Sequence, residues 1–350
     1  MNPDHSHSLS CCSPTAEKQK WFLNKNILAT AVLFLFLSVS FFFPALSSLH
    51  QNLWMYIRMI WWAILFGFLL GGLLDRYIPK EYIAAVLARK EKKSVFYAVM
   101  LGFLMSSCSH GMLALSMGLH KKGASTSVVI AFLLASPWAN LPITLMLLSF
   151  FGLKALYIIL GALVIAFNTG VLFQFLEKKG IIEANPNTYV LDENYSIVKD
   201  IQKRIQTARF SLSTLPEDVK VISKGALALA DMTFWMVVIG VLLSSLSAAF
   251  IPESLFKQYM GPTLLGLLAT LAFAAAMEVC SQGTAPLAFE IFKKTGAFGN
   301  AFVFLMAGVV TNLTAIGLVW ANIGRKAALW IPIVALPQVI VLGILANHLF

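Results

Sequence analysis

Long apolar runs separated by short polar stretches dominate the chain. Seven of these runs are about 20 residues long, and a helix of that length crosses roughly 30 Å of hydrocarbon. The runs are 27–49, 53–74, 127–150, 155–176, 226–250, 301–320 and 328–349. Because backbone N–H and C=O groups inside a bilayer must bond to one another, the pattern predicts an all-α membrane protein built as a polytopic helical bundle.

Composition excludes several other classes. Hydrophobic residues make up 59% of the 350 positions and charged residues only 12%, too few to cover a water-facing surface. The net charge of +10 comes from Lys and Arg in loops between apolar runs, which indicates membrane orientation and not nucleic-acid binding. No phosphate-binding loop of the GxxxxGK[ST] type occurs, so a gradient-driven mechanism is expected, with a separate ATPase partner as the alternative. We expect a transporter without a cofactor, and not an enzyme.

The two halves of the chain are similar to each other. An offset of 172 residues aligns 108–155 with 280–327 without a gap, and 14 of the 48 aligned positions are identical. The identical positions include Cys108/Cys280, Asn140/Asn312 and a pair of lysines, which composition alone does not explain. An offset of 173 extends the likeness upstream, where 77–81 answers 250–254. We infer a duplication.

The duplication divides the chain into five parts. These are a polar tail (1–26), an extra transmembrane helix (27–52), repeat 1 (53–176), a polar loop (177–224) and repeat 2 (225–350). The loop carries eight Lys and Arg residues, so it should be cytoplasmic, with the chain in a bacterial inner membrane. The tail, the loop 76–93 and the loop 177–224 are all expected on the inside, so an even number of crossings must separate them. This requires one re-entrant segment per repeat, which leaves three full crossings in each and makes the repeats inverted. Full crossings throughout would instead make the repeats parallel.

A polar break interrupts one apolar segment in each repeat. The first copy contains Cys108, Ser109, His110 and Gly111, and the second contains Cys280, Ser281, Gln282 and Gly283. A thiol beside a hydroxyl and a glycine at membrane depth predicts a binding site for a soft solute, although a single Cys also packs well as a small apolar residue.

Other polar residues add to the candidate site. Asn140 and Asn312 can cap backbone groups freed at a helix interruption or contact the solute. Glu278 and Asp231 are candidates for proton coupling, because a carboxylate is costly inside a membrane. Glu290 and His120, by contrast, are expected at the membrane interface. The tail offers a further, metal-binding set of ligands, namely His5, His7, Cys11 and Cys12.

On these motifs the chain resembles the bacterial predicted-permease family that includes the ArsP organoarsenical exporters. The resemblance rests on 107–111, on 121–125, on 132–137 with Asn140, and on the second copy at 280–286. It implies export of trivalent arsenicals or related soft species. The chain departs from the family in having one cysteine per break and not adjacent pairs.

The leading interpretation is a secondary-active efflux permease for a trivalent arsenical, with Cys108 and Cys280 as thiol ligands. A copper or zinc exporter is one alternative, and it would use His110 or Glu278 to complete the coordination. A membrane thiol enzyme or sulfur-relay protein is another, and it predicts one reactive cysteine beside a base. The expected partners are the solute and the lipid bilayer, and a homo-oligomer stays open.

Overall fold

A computed structural model describes residues 25–43, 46–77, 87, 93–104, 109–121, 123–186, 215–277 and 281–350. These residues form helices joined by short turns and no strand. In chain order the helices are α1 (Lys25–Phe42), α2 (Ser47–Tyr77), α3 (Ser94–Leu104), α4 (Ser109–Lys121), α5 (Thr126–Ala139), α6 (Leu141–Phe151), α7 (Ala155–Lys178), α8 (Leu215–Phe250), α9 (Glu253–Met260), α10 (Leu264–Met277), α11 (Ser281–Thr295), α12 (Phe298–Val310), α13 (Leu313–Asn322) and α14 (Arg325–Leu349). The prediction of an all-α fold is confirmed.

Six helical stretches of the described chain are long and apolar enough to cross a membrane, or seven if the bent pair α9 and α10 counts as one. The 38-residue stretch Leu141–Lys178 is longer than one crossing needs. It folds back at Gly152, whose φ of +58° is the left-handed conformation that glycine adopts without strain. The fold is therefore a polytopic helical bundle.

The duplication is visible in the helix bounds. When the bounds of α3, α4, α5, α6 and α7 are shifted by 172 residues, they coincide to within a few residues with those of α10, α11, α12, α13 and α14, respectively. We call helices or residues that correspond in this way cognate. The last residue of α2, Tyr77, falls on the last residue of α8, Phe250, at the offset of 173. Helix α1 has no counterpart among the described residues.

Cognate helices α2 and α8 pack along each other in opposite directions. Near the end of α2, a Cβ added to Gly225 of α8 would lie 3.2 Å from the Cα of Gly72. Near the start of α2, Lys293 Nζ lies 4.0 Å from Met55 Sδ, and the neighbouring Lys294 donates to the carbonyl of Ser247 in the last turn of α8. We call this second level the Lys294 end of the bundle.

Cognate helices α7 and α14 are also antiparallel. Tyr157, near the start of α7, donates to the carbonyl of Leu342 late in α14 (2.8 Å), whereas Thr169 lies 3.2 Å from Gln338 earlier in α14. A two-fold axis across the helices relates such pairs, and this is the arrangement that inverted repeats predict.

Helices α3 and α4 enter and leave the bundle at the same end. Asn185, after α7, donates to the carbonyls of His120 and Ala124 at the end of α4, both at 2.6 Å, and this level is the Asn185 end. The start of α3 lies at the same end, since a Cβ on Gly170 would lie within 3 Å of side-chain atoms of both Val95 and Ala131. The pair is therefore re-entrant, as expected for the segment containing Cys108.

The second repeat mirrors this path from the Lys294 end. Helices α9 and α10 meet at 104°, and α10 then runs inward while α11 returns to the Lys294 end. Buried Asn300 stabilises the bend by donating to the carbonyls of Met260 and Gly261, both at 2.9 Å, while Asn347 donates to its oxygen (2.8 Å). Helices α5 and α6, like α12 and α13, form one crossing with an interruption.

Two predicted segment bounds differ from the helix ends. Helix α2 already begins at Ser47, inside the segment expected to be the extra transmembrane helix, and α1 ends at Phe42. Helix α8 begins at Leu215, inside the segment expected to be the polar loop. Apolar composition marks only the part of a helix that crosses hydrocarbon. A helix can continue into water with polar residues, because its backbone hydrogen bonds do not depend on the bilayer. Composition therefore places the starts of α2 and α8 too late in the chain.

Candidate functional site

Four short helices begin at interruptions inside the bundle. Helices α4 and α11 follow the breaks 105–108 and 278–280, and α6 and α13 follow Asn140 and Asn312. The two interruptions of repeat 1 are neighbours, since a Cβ on Gly102 of α3 would lie 3.0 Å from Ala135 Cβ of α5. Half-helix starts near the middle of inverted repeats carry unpaired N–H groups that can face a solute.

The duplicated asparagines cap the second half of each interrupted crossing. Asn140 Oδ1 accepts from the backbone N–H of Ile143 (3.0 Å), and its amide nitrogen donates to the carbonyl of Ser136 (3.1 Å). Asn312 Oδ1 accepts from the N–H of Ala315 (2.9 Å). Capping is thus the interaction that the structure shows for both residues, and contact with a solute stays a prediction.

Glycines bring the long helices against these half-helices. A Cβ on Gly240 of α8 would lie 2.1 Å from the carbonyl oxygen of Gly283 in the first turn of α11. On α2, a Cβ on Gly67 would lie 2.8 Å from the Cα of Pro142 in α6. Gly67 and Gly240 are themselves cognate at the offset of 173. Gly283, predicted from the sequence as a site residue, therefore lies at a close backbone approach of α8 to α11.

The remaining predicted site residues divide into three groups. Ser109, His110 and Gly111 open α4, and Ser281 and Gln282 open α11 with the Gln282 side chain buried. Asp231 is exposed on α8, where Asn26 of α1 donates to its carboxylate and to its carbonyl (2.9 Å), so it lies beside the extra helix and away from the Gly283 contact. A third group lies outside the described residues, namely Cys108, Cys280, Glu278, His5, His7, Cys11 and Cys12.

Glu290 is buried inside the bundle, a packing that the expected position at the membrane interface did not predict. Only 1% of it is exposed, and Tyr56 of α2, itself fully buried, donates a short hydrogen bond to its Oε2. Lys294 Nζ lies 3.8 Å from its Oε1. His120, also expected at the interface, is 5% exposed. The positions of Glu290 along α11 and of His120 along α4 suggested the membrane interface. Other helices of the bundle nevertheless cover both side chains.

Aromatic rings surround the Tyr56 and Glu290 contact. Phe150 of α6 stacks on Phe289 of α11 with centroids 5.2 Å apart, and Phe151 packs against Phe289 and Phe292 at 5.7 and 5.9 Å. Together with Tyr56, these four rings form an aromatic cluster that fills the Lys294 end between α2, α6 and α11.

The profile of a protein family described as a predicted permease, ArsP_1, matches residues 48–222 and 220–350. The chain belongs to this predicted-permease family. The match covers both repeats, so the resemblance inferred from the sequence is confirmed. Membership makes the chain a multi-pass membrane transporter.

Relatives support the same class across most of the chain. A protein of Streptococcus mutans, named as a subunit of a two-component membrane permease complex, is 21% identical over 76% of this chain and 85% of its own length. A UPF0718 protein of Bacillus subtilis is 22% identical over 73% and 90%, and one of Methanocaldococcus jannaschii is 20% identical over 76% and 86%. No solved structure matches the chain.

At the Asn185 end of this permease, Glu183 connects the repeats. Its carboxylate accepts from the backbone N–H groups of Lys326 (3.1 Å) and Ala327 (3.0 Å) in the first turn of α14. Partial burial works to raise the pKa of this carboxyl, but the hydrogen bonds and the Lys326 charge outweigh it, so the pKa lies below its usual value. Its own carbonyl accepts from Thr126 of α5 (2.9 Å), so the segment after α7 holds both repeats together.

Metal-ligand geometry is absent from the described part of the permease. Within those ranges, no three His, Cys, Asp or Glu side chains come together as metal ligands would. The thiol-bearing breaks and the His and Cys tail lie outside them.

Proposed function

We propose that this permease exports a small thiophilic solute, most directly a trivalent organoarsenical, across a bacterial inner membrane by a gradient-driven mechanism. The observation that carries the proposal is the duplicated Cys-Ser-x-Gly sequence, which immediately precedes or opens two cognate half-helices, α4 and α11. Inverted repeats bring such interruptions near the middle of the bundle, where a solute can bind away from lipid.

Thiol chemistry narrows the solute. Thiolates prefer soft partners, and a trivalent arsenical with one organic group can take two of them. Two bonds hold the solute more strongly than one, while exchange between ligands permits release. Cys108 and Cys280 are the proposed ligands. Gln282 and Gly283 would line the second break, because both are buried in the first turn of α11.

Copper or zinc export is the second candidate, favoured by a difference between the two breaks. His110 of the first copy stands opposite Gln282 of the second, so one break offers an imidazole that suits a borderline cation. Glu278 would complete the ligand set. In that case loss of His110 would weaken transport as much as loss of either cysteine, whereas an arsenical requires only the thiols.

The test is uptake into everted membrane vesicles of trivalent methylarsenic, with Cu⁺ and Zn²⁺ compared in parallel and rates normalised to folded protein. Cys108→Ala and Cys280→Ala should each abolish most arsenical uptake, and the double variant should be little worse than either single. Full arsenical uptake by the double variant would overturn thiol ligation. Uptake of a cation that is lost in His110→Ala would select the second candidate.

A further inference from the structure

The two repeats share their helices but not their packing. In the half of the bundle toward the Lys294 end, α6 packs along α2 and α11 packs along α8, and α6 also contacts α11. Their cognates α13 and α4 run toward the Asn185 end. Over the described residues, α13 is not packed along α8 and α4 is not packed along α2. The half-helices at the Lys294 end thus pack on the long helices α2 and α8, whereas those at the Asn185 end do not pack on them over the described residues.

Two glycines mark the half toward the Asn185 end. Cβ atoms added to Gly118 of α4 or to Gly317 of α13 would meet no heavy atom of another element within 4 Å. Leu313 in the first turn of α13 is 67% exposed, whereas its cognate Leu141 in α6 is partly buried. Helix α13 is therefore largely exposed, and α4, although most of its described side chains are buried, packs on neither long helix over the described residues, whereas α6 and α11 each pack on one.

We infer that Tyr56, Glu290 and Lys294 form a latch that holds the permease closed at the Lys294 end, and that transport requires this latch to open. The inference rests on the transporter class and not on the identity of the solute. Glu290 links α11 to α2 across the two repeats. Its cognate in α4 is Gly118, so the Asn185 end has no equivalent carboxylate.

Lys294 fastens the same half-helix to α8. Its ammonium group has three protons, and it donates to three backbone carbonyls at the end of α8, those of Ser247 (3.0 Å), Ala248 (3.2 Å) and Ile251. Glu290 Oε1 lies 3.8 Å from this nitrogen, within ion-pair range but longer than the carbonyl contacts. Tyr56 is therefore the hydrogen-bond donor that ties the buried carboxylate to α2, and loss of its hydroxyl should release α11 from that helix.

The pseudo-two-fold axis specifies the second state. In it, α4 would pack on α2 with Gly111 against Gly67, and α13 would pack on α8 at Gly240, while α6 and α11 withdraw. The Lys294 end would then open and the Asn185 end would close. A solute near the breaks would face one side of the membrane and then the other, which is the alternation that inverted repeats provide.

The test measures access from each side with a membrane-impermeant maleimide, using vesicles of both orientations. Reporter cysteines replace Met146, buried in α6 next to the aromatic cluster, or Gly118, in a chain whose four native cysteines are Ala. This background removes the proposed thiol ligands, so the result is independent of the solute. Glu290→Gln and Tyr56→Phe should each raise labelling at Met146→Cys by about tenfold and lower labelling at Gly118→Cys several-fold.

Matched controls separate the latch from general loosening. Glu253→Gln makes the same charge change in an exposed ion pair with Lys257 at the same end, and Tyr259→Phe removes an exposed hydroxyl from α9. Neither should alter labelling. Opposite changes at the two reporters support the latch. An increase at both reporters would show a loosened bundle, and unchanged labelling in Tyr56→Phe would show that the contact does not hold the gate; either result overturns the inference.

Discussion

The close approach of α8 to α11 can be tested by adding a single methyl group. In Gly240→Ala the new Cβ would lie 2.1 Å from the carbonyl oxygen of Gly283, well inside the 3.0 Å below which Cβ contacts essentially do not occur. The neighbour is backbone and cannot rotate away, so the two helices must separate by roughly 1 Å, and such overpacking costs about 1–3 kcal/mol. Alanine in place of glycine in a helix returns about 0.5–1 kcal/mol. We expect a net destabilisation of about 1–2 kcal/mol.

Gly317→Ala supplies the matched control. It makes the same substitution inside α13, where the added Cβ meets nothing within 4 Å, so only the helix-propensity gain of about 0.5–1 kcal/mol remains. The measurement is the temperature at which detergent-solubilised protein leaves the monodisperse peak in size-exclusion chromatography. Gly240→Ala should lower this temperature by several degrees and Gly317→Ala should raise it slightly. If Gly240→Ala left this temperature unchanged or raised it, α8 and α11 would not approach as described.

Two further predictions concern polar side chains that hold helix ends. In Glu183→Gln, the variant should be less stable than the parent by about 0.5–1 kcal/mol near neutral pH. Because the pKa of Glu183 is lowered in the folded state, this difference should be present above about pH 4.3 and vanish as the pH falls through the lower, folded-state value, as thermal unfolding measured across pH can show. Asn300→Leu removes the donor to the Met260 and Gly261 carbonyls, of which Gly261 still accepts from the backbone N–H of Thr263 (2.7 Å), and it should cost about 1–3 kcal/mol. Asn322→Leu removes one exposed bond and should cost little.

Periodic features of the sequence were sufficient to predict the fold. The offset of 172 residues predicted cognate helices, and the described helices end before and begin after the two polar breaks that the sequence predicts. These predictions succeed because backbone hydrogen bonding in a bilayer leaves few alternatives once an apolar run is interrupted. The capping roles of Asn140 and Asn312 were one of two alternatives, since an Asn before a helix start is a common cap.

Lateral burial was not predictable in the same way. Glu290 follows the break by ten residues, which is about 15 Å along a helix and hence close to the membrane interface. What buries it is packing by α2 and α6, which lie far away in sequence. The sequence did contain one signal for this residue, namely that Glu290 aligns with Gly118 in the other repeat. A carboxylate present in only one of two similar segments is not needed for the fold that both segments share, and this points to a separate role.

The same reasoning explains why the closed end could not be assigned from the sequence. Both repeats contain the glycines and half-helices needed for either packing, so the residues they share permit two arrangements of similar geometry. Residues that differ must favour one of them. At the Lys294 end these are Glu290, Phe289 and Phe150, whose cognates Gly118, Met117 and Asn322 supply neither a carboxylate nor a ring. The duplicated residues thus maintain two states, while the divergent residues determine which is more stable, and a transporter needs the difference to stay within a few kcal/mol so that a solute can reverse it.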